Sequence, residues 1–279
     1  MTNTDVLVVK ATGEIEKYSE AKVRSSIKRA GISDDLTNQV VAHVETILRK
    51  NITTSEIYDH IIEFLYKSPN PAASARYSLK KALMQLGPSG YPFEKFVSHI
   101  LTKQGYDTKT NQILQGKCVK HEVDVIAKKE DEQFMIEVKF HNRPGARSDL
   151  KVALYSYARF SDLNHNPNGN QFSNAWLVTN TKVTSEALDY AKCIGIKVIS
   201  WSYPDKGNLH ELIEQTSLHP ITALRSLSTK QKQHLLINNI VLCKQVATMN
   251  VGELNQLGFD HSKAEDVIQE AQEVCSYSK

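Results

Sequence analysis

Glu122-Val-Asp124-Val-Ile-Ala127 and Phe134-Met-Ile-Glu137-Val-Lys139-Phe140 are two apolar stretches joined by the charged segment Lys128-Lys-Glu-Asp-Glu132, the pattern of a β-hairpin. Side chains alternate between the faces of a strand. In the first stretch Val123, Val125 and Ala127 therefore share one face and Asp124 takes the other. In the second, Met135, Glu137 and Lys139 lie opposite Ile136, Val138 and Phe140. Glu137 and Lys139 point the same way, about 7 Å apart along the strand. If the hairpin places Asp124 beside them, two carboxylates and an amine converge.

That set has a definite chemistry. Paired carboxylates offer hard oxygen ligands to Mg²⁺, which keeps waters and leaves places for phosphate oxygens. The metal lowers the pKa of water and offsets charge developing on a scissile phosphate, while Lys139 orients the water or stabilises the pentavalent state. The pattern predicts a site for phosphodiester hydrolysis. The alternative is a cross-strand salt bridge on an exposed sheet face.

Outward from the hairpin, Phe93 to Gln104 is an amphipathic helix stopped by Gly105, and Asn111 to Gln115 is a strand. Downstream come a helix over 149–160, a strand over 175–179, a helix over 185–193 and a last strand over 196–201. Helix, three strands, helix, strand, helix, strand implies a mixed α/β sheet. Between the hairpin and the 149–160 helix lie His141, Arg143, Arg147 and Lys151, with Asp149 the only acid from Phe140 to Arg159. Pro144 and Gly145 make this stretch a loop, and Arg143, Arg147 and Lys151 are expected to grip a duplex backbone through its phosphates.

Two breaks bound this segment. Gly87-Pro88-Ser89-Gly90-Tyr91-Pro92 stops any helix, and Ser217-Leu218-His219-Pro220 precedes a purely helical tail. The expected domains are 1–88, 91–217 and 218–279. The whole chain has 279 residues, 41% of them hydrophobic, with 34 Lys+Arg against 31 Asp+Glu and a net charge of +3. This excludes a disordered chain. Basic and acidic residues number 12 and 10 before residue 91, 16 and 15 through residue 218, and 6 and 6 after it. DNA binding must therefore come from a local patch. No apolar run is long enough to span a membrane and the first residues lack a signal-peptide pattern, so a cytoplasmic protein is expected. The 4 cysteines show no CxxC pair and are expected to be free.

The first segment opens with two short strands, Val6 to Lys10 and Glu14 to Tyr18, around Gly13, and continues in four helices that begin at Ser19, Leu36, Thr54 and Ala72. Lys10 ends a strand and Lys22 opens a helix. Two ammonium groups beside free helix N–H donors make an anion site, to which Thr53 and Thr54 could add hydroxyls.

These residues carry resemblances. Val9, Lys10 and Gly13, the run Tyr18-Ser-x-x-Lys22, Thr53-Thr-Ser-Glu-Ile57 and Ala75-Arg-Tyr77 resemble the ATP-cone, the regulatory nucleotide-binding domain of ribonucleotide reductases and their transcriptional repressor. The resemblance covers residues 5–88 and implies ATP or dATP held by Lys10, Lys22, Thr53 and Thr54. Where that family usually carries Lys-Arg this chain has Lys10-Ala11, which removes one cationic group. Asp124, followed thirteen residues later by Glu137-Val138-Lys139, resembles the PD-(D/E)xK superfamily, specifically its restriction-endonuclease-like, Mrr-type domain. It implies Asp124 and Glu137 as metal ligands, Lys139 as the catalytic lysine beside them, and Glu94 on the first helix completing the metal site. Val123 stands where the family nominally has Pro. In the tail, Leu257-Gly258-Phe259 with Lys263-Ala264 resembles a helix-hairpin-helix DNA-backbone module, with one of its two glycines.

The expected architecture is thus an α/β multidomain protein: a hairpin plus helical ATP-cone, a central mixed-sheet restriction-endonuclease-like fold, and a C-terminal all-α module. The expected activity is nucleotide-regulated, Mg²⁺-dependent endonucleolytic cleavage of double-stranded DNA, in defence or repair, by a homo-oligomer. The alternative is a catalytically silent regulator that senses ATP or dATP and binds DNA. The motif alone does not separate DNA from RNA.

Overall fold

The structure is a computed structural model that describes residues 6–10, 13–70 and 72–276. Ala11 and the first five residues lie outside them. The chain divides into two compact units, Met1–Leu79 and Lys80–Ser278.

In the first unit, β1 (Leu7–Val9) and β2 (Ile15–Lys17) form the expected antiparallel hairpin. Gly13 sits at φ 85°, a left-handed conformation glycine adopts without steric cost, and its N–H closes the turn on Lys10 O at 2.9 Å. Helices α1 (Glu20–Arg29) and α2 (Asp34–Ile47) start at serine caps, Ser19 and Ser33. Before α3 (Thr54–Lys67), a two-residue strand β3 (Ile52–Thr53) pairs in parallel with β1, so the sheet order is β2-β1-β3. Sequence reading missed β3 because two residues carry no periodicity. α4 (Ala72–Met84) follows. Ile27, Val40, Val44, Ile61 and Leu65 lie buried at the centre of this unit.

The second unit takes in the end of α4 and then α5 (Tyr91–Lys103), whose Pro92 falls in the first turn, where a missing N–H costs nothing. Three antiparallel strands come next, β4 (Asp107–Gln115), β5 (Lys120–Lys129) and β6 (Glu132–Lys139). After β7 (Arg147–Ser148) and α6 (Leu150–Asn164), β8 (Asn174–Thr179) joins β6 in parallel. β9 (Lys182–Val183) pairs with β7, and α7 (Ser185–Ile194) leads to β10 (Lys197–Ile199), which extends the sheet beside β8. The five-stranded order is β10-β8-β6-β5-β4, a mixed sheet. Met135, Ala175 and Leu177 pack with Ala153 and Leu163 of α6 and with Ala187 and Ala191 of α7. The apolar inner stripes of both helices find their partner there.

The helical tail comprises α8 (Leu209–Thr216), α9 (Thr229–Ile237), α10 (Cys243–Ala247), α11 (Val251–Gln256) and α12 (His261–Ser276). One stretch of the tail, Ile240–Leu242, departs from the expected all-helical reading. That stretch is extended: Ile221 N donates to Val241 O and Cys243 N to His219 O, each at 2.9 Å, and the helix begins only at Cys243. Glu270 of α12 is buried and accepts from Arg225 N and Ser226 N, both at 2.8 Å, which ties α12 to the turn before α9. All four cysteines are free.

Candidate active site

The backbone ladder between β5 and β6 has its last pair at Val125 and Ile136. One residue further, in the same register, Asp124 and Glu137 stand opposite each other on one face. The Asp124 side chain takes over the role the ladder drops: Val138 N donates to Asp124 Oδ2 at 2.7 Å. β6 is held on its other side by β8, with Glu137 beside Leu177 and Lys139 beside Thr179. The three residues that sequence patterning singled out are thus brought to one end of the hairpin.

Two residues that sequence reading missed complete the surroundings. Arg159 of α6 donates from Nη1 to Glu137 Oε2 at 2.6 Å and from Nη2 to Tyr155 Oη at 2.7 Å. Its signal was a charged residue on the inward stripe of α6, between Ser156 and Leu163. Asn111 lies opposite Asp124 in the β4–β5 register, where pairing lapses between Thr110–Val125 and Gln112–Val123. Its φ of 54° turns it out of the strand. Asn111 Nδ2 donates to Glu94 Oε2 at 2.9 Å, so Glu94 reaches this neighbourhood through Asn111.

Negative charge dominates this group. Burial, then the charge of Asp124, pushes Glu137 up to about 7, against the opposing pull of Arg159 and Lys139. Burial also raises Asp124, opposed by the Val138 N–H and by Arg159. Glu94 is raised by burial as well, with Asn111 opposing. The Lys139 side chain is exposed and makes neither a hydrogen bond nor an ion pair among the described residues, although its charge is felt by both carboxylates. Among the described residues no group of three or more His, Cys, Asp or Glu side chains is arranged to hold a metal by itself. Asp124 and Glu137 each keep one oxygen uncommitted, and the charge of Asp124 raises the proton affinity of Glu137. Such a pair fits a hard divalent cation that fills its remaining positions with water and phosphate.

The cations expected to grip DNA, Arg143, Arg147 and Lys151, are all exposed. The stretch is not a loop throughout, because Arg147 belongs to β7 and pairs with Lys182 of β9. A fourth exposed cation therefore stands beside it. Lys151 lies in the first turn of α6, whose N-cap Asp149 accepts from Lys151 N and Val152 N. Both flanking histidines are occupied. His121 Nε2 meets Asp162 Oδ2 at 2.8 Å, and His141 Nε2 meets Ser148 Oγ at 3.1 Å.

In the first unit, Lys10 and Lys22 converge on one carboxylate, Glu16, at 3.1 and 2.7 Å. Thr53 is the N-cap of α3: its hydroxyl accepts from Glu56 N and donates to Glu56 Oε2. Lys22, Glu16 and Thr54 line a groove of about 200 Å³ together with Tyr18, Tyr58 and Tyr77, and Lys10 is joined to it through Glu16.

Three family models match separate segments of the chain. Residues 6–84 match the family model of the ATP cone domain, residues 87–205 that of a restriction endonuclease, and residues 219–275 the C-terminal model of AF1548-like proteins. An uncharacterised protein of Archaeoglobus fulgidus is 41% identical over 178 residues, 64% of this chain and 99% of the relative. The chain belongs to the AF1548-like family. The crystal structure of AF1548, described as a protein of unknown function, aligns with a TM-score of 0.59 at 40% identity, covering 67% of this chain and 99% of that one. A repair endonuclease from Pyrococcus abyssi aligns at 15% identity and a TM-score of 0.31, over 40% of this chain and 46% of its own, too low to carry an argument. This AF1548-like chain accordingly combines an ATP cone, a restriction-endonuclease-like fold and a C-terminal AF1548-like helical module. No helix among its described residues is long and apolar enough to cross a membrane.

Proposed function

We propose that this AF1548-like protein is a Mg²⁺-dependent DNA endonuclease regulated by ATP or dATP. The observation that carries the reading is the pairing of Asp124 and Glu137 at the end of the β5–β6 ladder, with Lys139 beside them. Asp124 and Glu137 would hold the metal. When bound, Mg²⁺ supplies Lewis acidity that activates water and offsets charge on the scissile phosphate. The Val138 N–H and the Arg159 guanidinium fix one oxygen of each carboxylate, so the other oxygens are presented in set directions. Lys139 places a positive charge where the phosphate gains negative charge. Glu94 acts at one remove, through Asn111. Arg143, Arg147 and Lys151 contact the DNA backbone, and nucleotide bound in the N-terminal groove sets activity or assembly.

Incubating the purified protein with plasmid, with and without Mg²⁺ and ATP, tests the reading. Nicked or linear product only with Mg²⁺, at a rate that changes with ATP, is expected. A second reading, a silent DNA-binding regulator, draws on the ion pair that gives Glu137 a counterion from within the protein. On that reading plasmid stays intact while DNA binding is the same with and without Mg²⁺.

A further inference from the structure

Tyr155 is 55% exposed, yet its ring is fixed on two sides of the residue. The Arg159 guanidinium lies over the ring, 4.6 Å from its centroid, and the same group donates to the phenolic oxygen. An exposed tyrosine ordinarily samples several rotamers; this one is held. One ring face is covered by the guanidinium, and more than half of the residue nevertheless remains exposed. The other end of the guanidinium rests on Glu137. Lys151, Tyr155 and Arg159 follow one another at four-residue spacing, so cation, ring and cation form one stripe along α6. At its inner end the stripe meets Glu137 of the carboxylate pair.

We propose that the Tyr155 ring is a stacking platform for an unpaired nucleobase of the strand whose phosphodiester enters the Asp124–Glu137 pair. The inference rests on the nuclease reading and narrows its substrate to DNA with an unpaired base beside the scissile bond. Every nucleobase has a π-face, and an aromatic ring in a cationic setting is the usual device for holding an unpaired base without regard to its identity. Bases inside a duplex are stacked on each other and offer the ring no free face. The rival occupant of this face is a second copy of the chain, packed through Leu154, Tyr155 and Tyr157, which are all exposed. A two-fold interface sets each patch against itself. It would bring Lys151 and its neighbouring cations together, whereas a phosphate backbone complements them.

The test is fluorescence of a single-stranded oligonucleotide carrying aminopurine, titrated with the full chain in metal-free buffer. Wild type and Tyr155→Phe should quench the probe equally. Tyr155→Leu, which keeps apolar bulk but has no π-face, should lose the quenching and bind roughly five- to a hundredfold more weakly, with an unchanged salt slope. Tyr157→Leu on the same helix should behave as wild type. Quenching by Tyr155→Leu equal to wild type overturns the platform, as does a wild-type dimer in sedimentation that Tyr155→Leu dissociates. If wild type with Mg²⁺ cuts neither plasmid nor a duplex bearing a single-stranded branch while Tyr155→Leu still loses quenching, the platform stands and the nuclease reading falls. If wild type cuts and Tyr155→Leu quenches normally, the platform falls alone.

Discussion

Arg159 Nη1 donates to Glu137 Oε2 at 2.6 Å, and each of the two residues is only 9% exposed. A buried ion pair gains little net stability over apolar packing, but losing one member leaves the other charged and desolvated. Arg159→Ala should therefore destabilise the second unit by about 3 kcal/mol at pH 8. At pH 5, below the Glu137 value of about 7, the stranded carboxyl is protonated and the loss should be smaller. Urea unfolding at both pH values checks this. An equal loss at both would mean that packing of the Arg159 stem, not its charge, stabilises the fold.

Glu137 itself sets a second pH dependence. Its folded value is raised from 4.5 to about 7, so between those values the folded state binds more protons than the unfolded chain. Stability contributed by this group must then fall as pH rises through the window from 4.5 to 7, and stay level above it. Glu137→Gln keeps an acceptor for Arg159 and has no proton to lose. Its melting temperature relative to wild type should climb across that window and stop climbing beyond it. A constant difference from pH 4 to pH 9 would contradict the raised value.

Cleavage should respond to single atoms. Asp124→Asn, Glu137→Gln and Lys139→Ala are each expected to lower the Mg²⁺-dependent rate by roughly a hundredfold or more. Lys139 is exposed, so its variant should melt as wild type does. Glu94→Ala should lose roughly tenfold or less, because Asn111 stands between Glu94 and Asp124. Full activity in Asp124→Asn would remove the metal-ligand assignment.

Legibility in the sequence followed periodicity. Val123, Val125 and Ala127 alternate with Asp124, and the same period in β6 places Glu137, so two strands and the facing of their carboxylates could be read directly. β3, β7 and β9 are two residues each and carry no period, and they exist only because a neighbouring strand pairs with them. Asn111 was hidden for a different reason: a φ of 54° inside a strand follows from local geometry that alternation does not encode. Arg159 was visible in principle, as a charge on the buried stripe of α6, but its partner is 22 residues away and only the fold supplies it.

The cations beyond β6 should govern binding and not chemistry. Removing one cation that binds a phosphate should lower the slope of log affinity against log salt by about 0.9 for duplex DNA. Neutralising Arg143, Arg147 and Lys151 together should flatten that slope by up to about 3 and leave sequence preference unchanged. Measuring DNA binding across a salt series reads both. Lys182, beside Arg147 in the β7–β9 register, should add a further increment when it is also removed.

In the first unit Lys10 and Lys22 share Glu16, which is lowered by its hydrogen bonds first to Lys22 and then to Lys10. These pairs are exposed at the surface, where ion pairs contribute little to stability. The two ammonium groups are therefore already gathered at one point without being needed for the fold. A triphosphate offers them more negative charge than one carboxylate does. Replacing both lysines with Ala should abolish ATP and dATP binding in calorimetry, while the unfolding transition measured without nucleotide stays where it is. Wild-type binding should weaken steeply with added salt, as expected of an exposed charge cluster. Nucleotide binding that survives in the double variant would shift the phosphate site away from Glu16 and toward the N-terminus of α3 at Thr54.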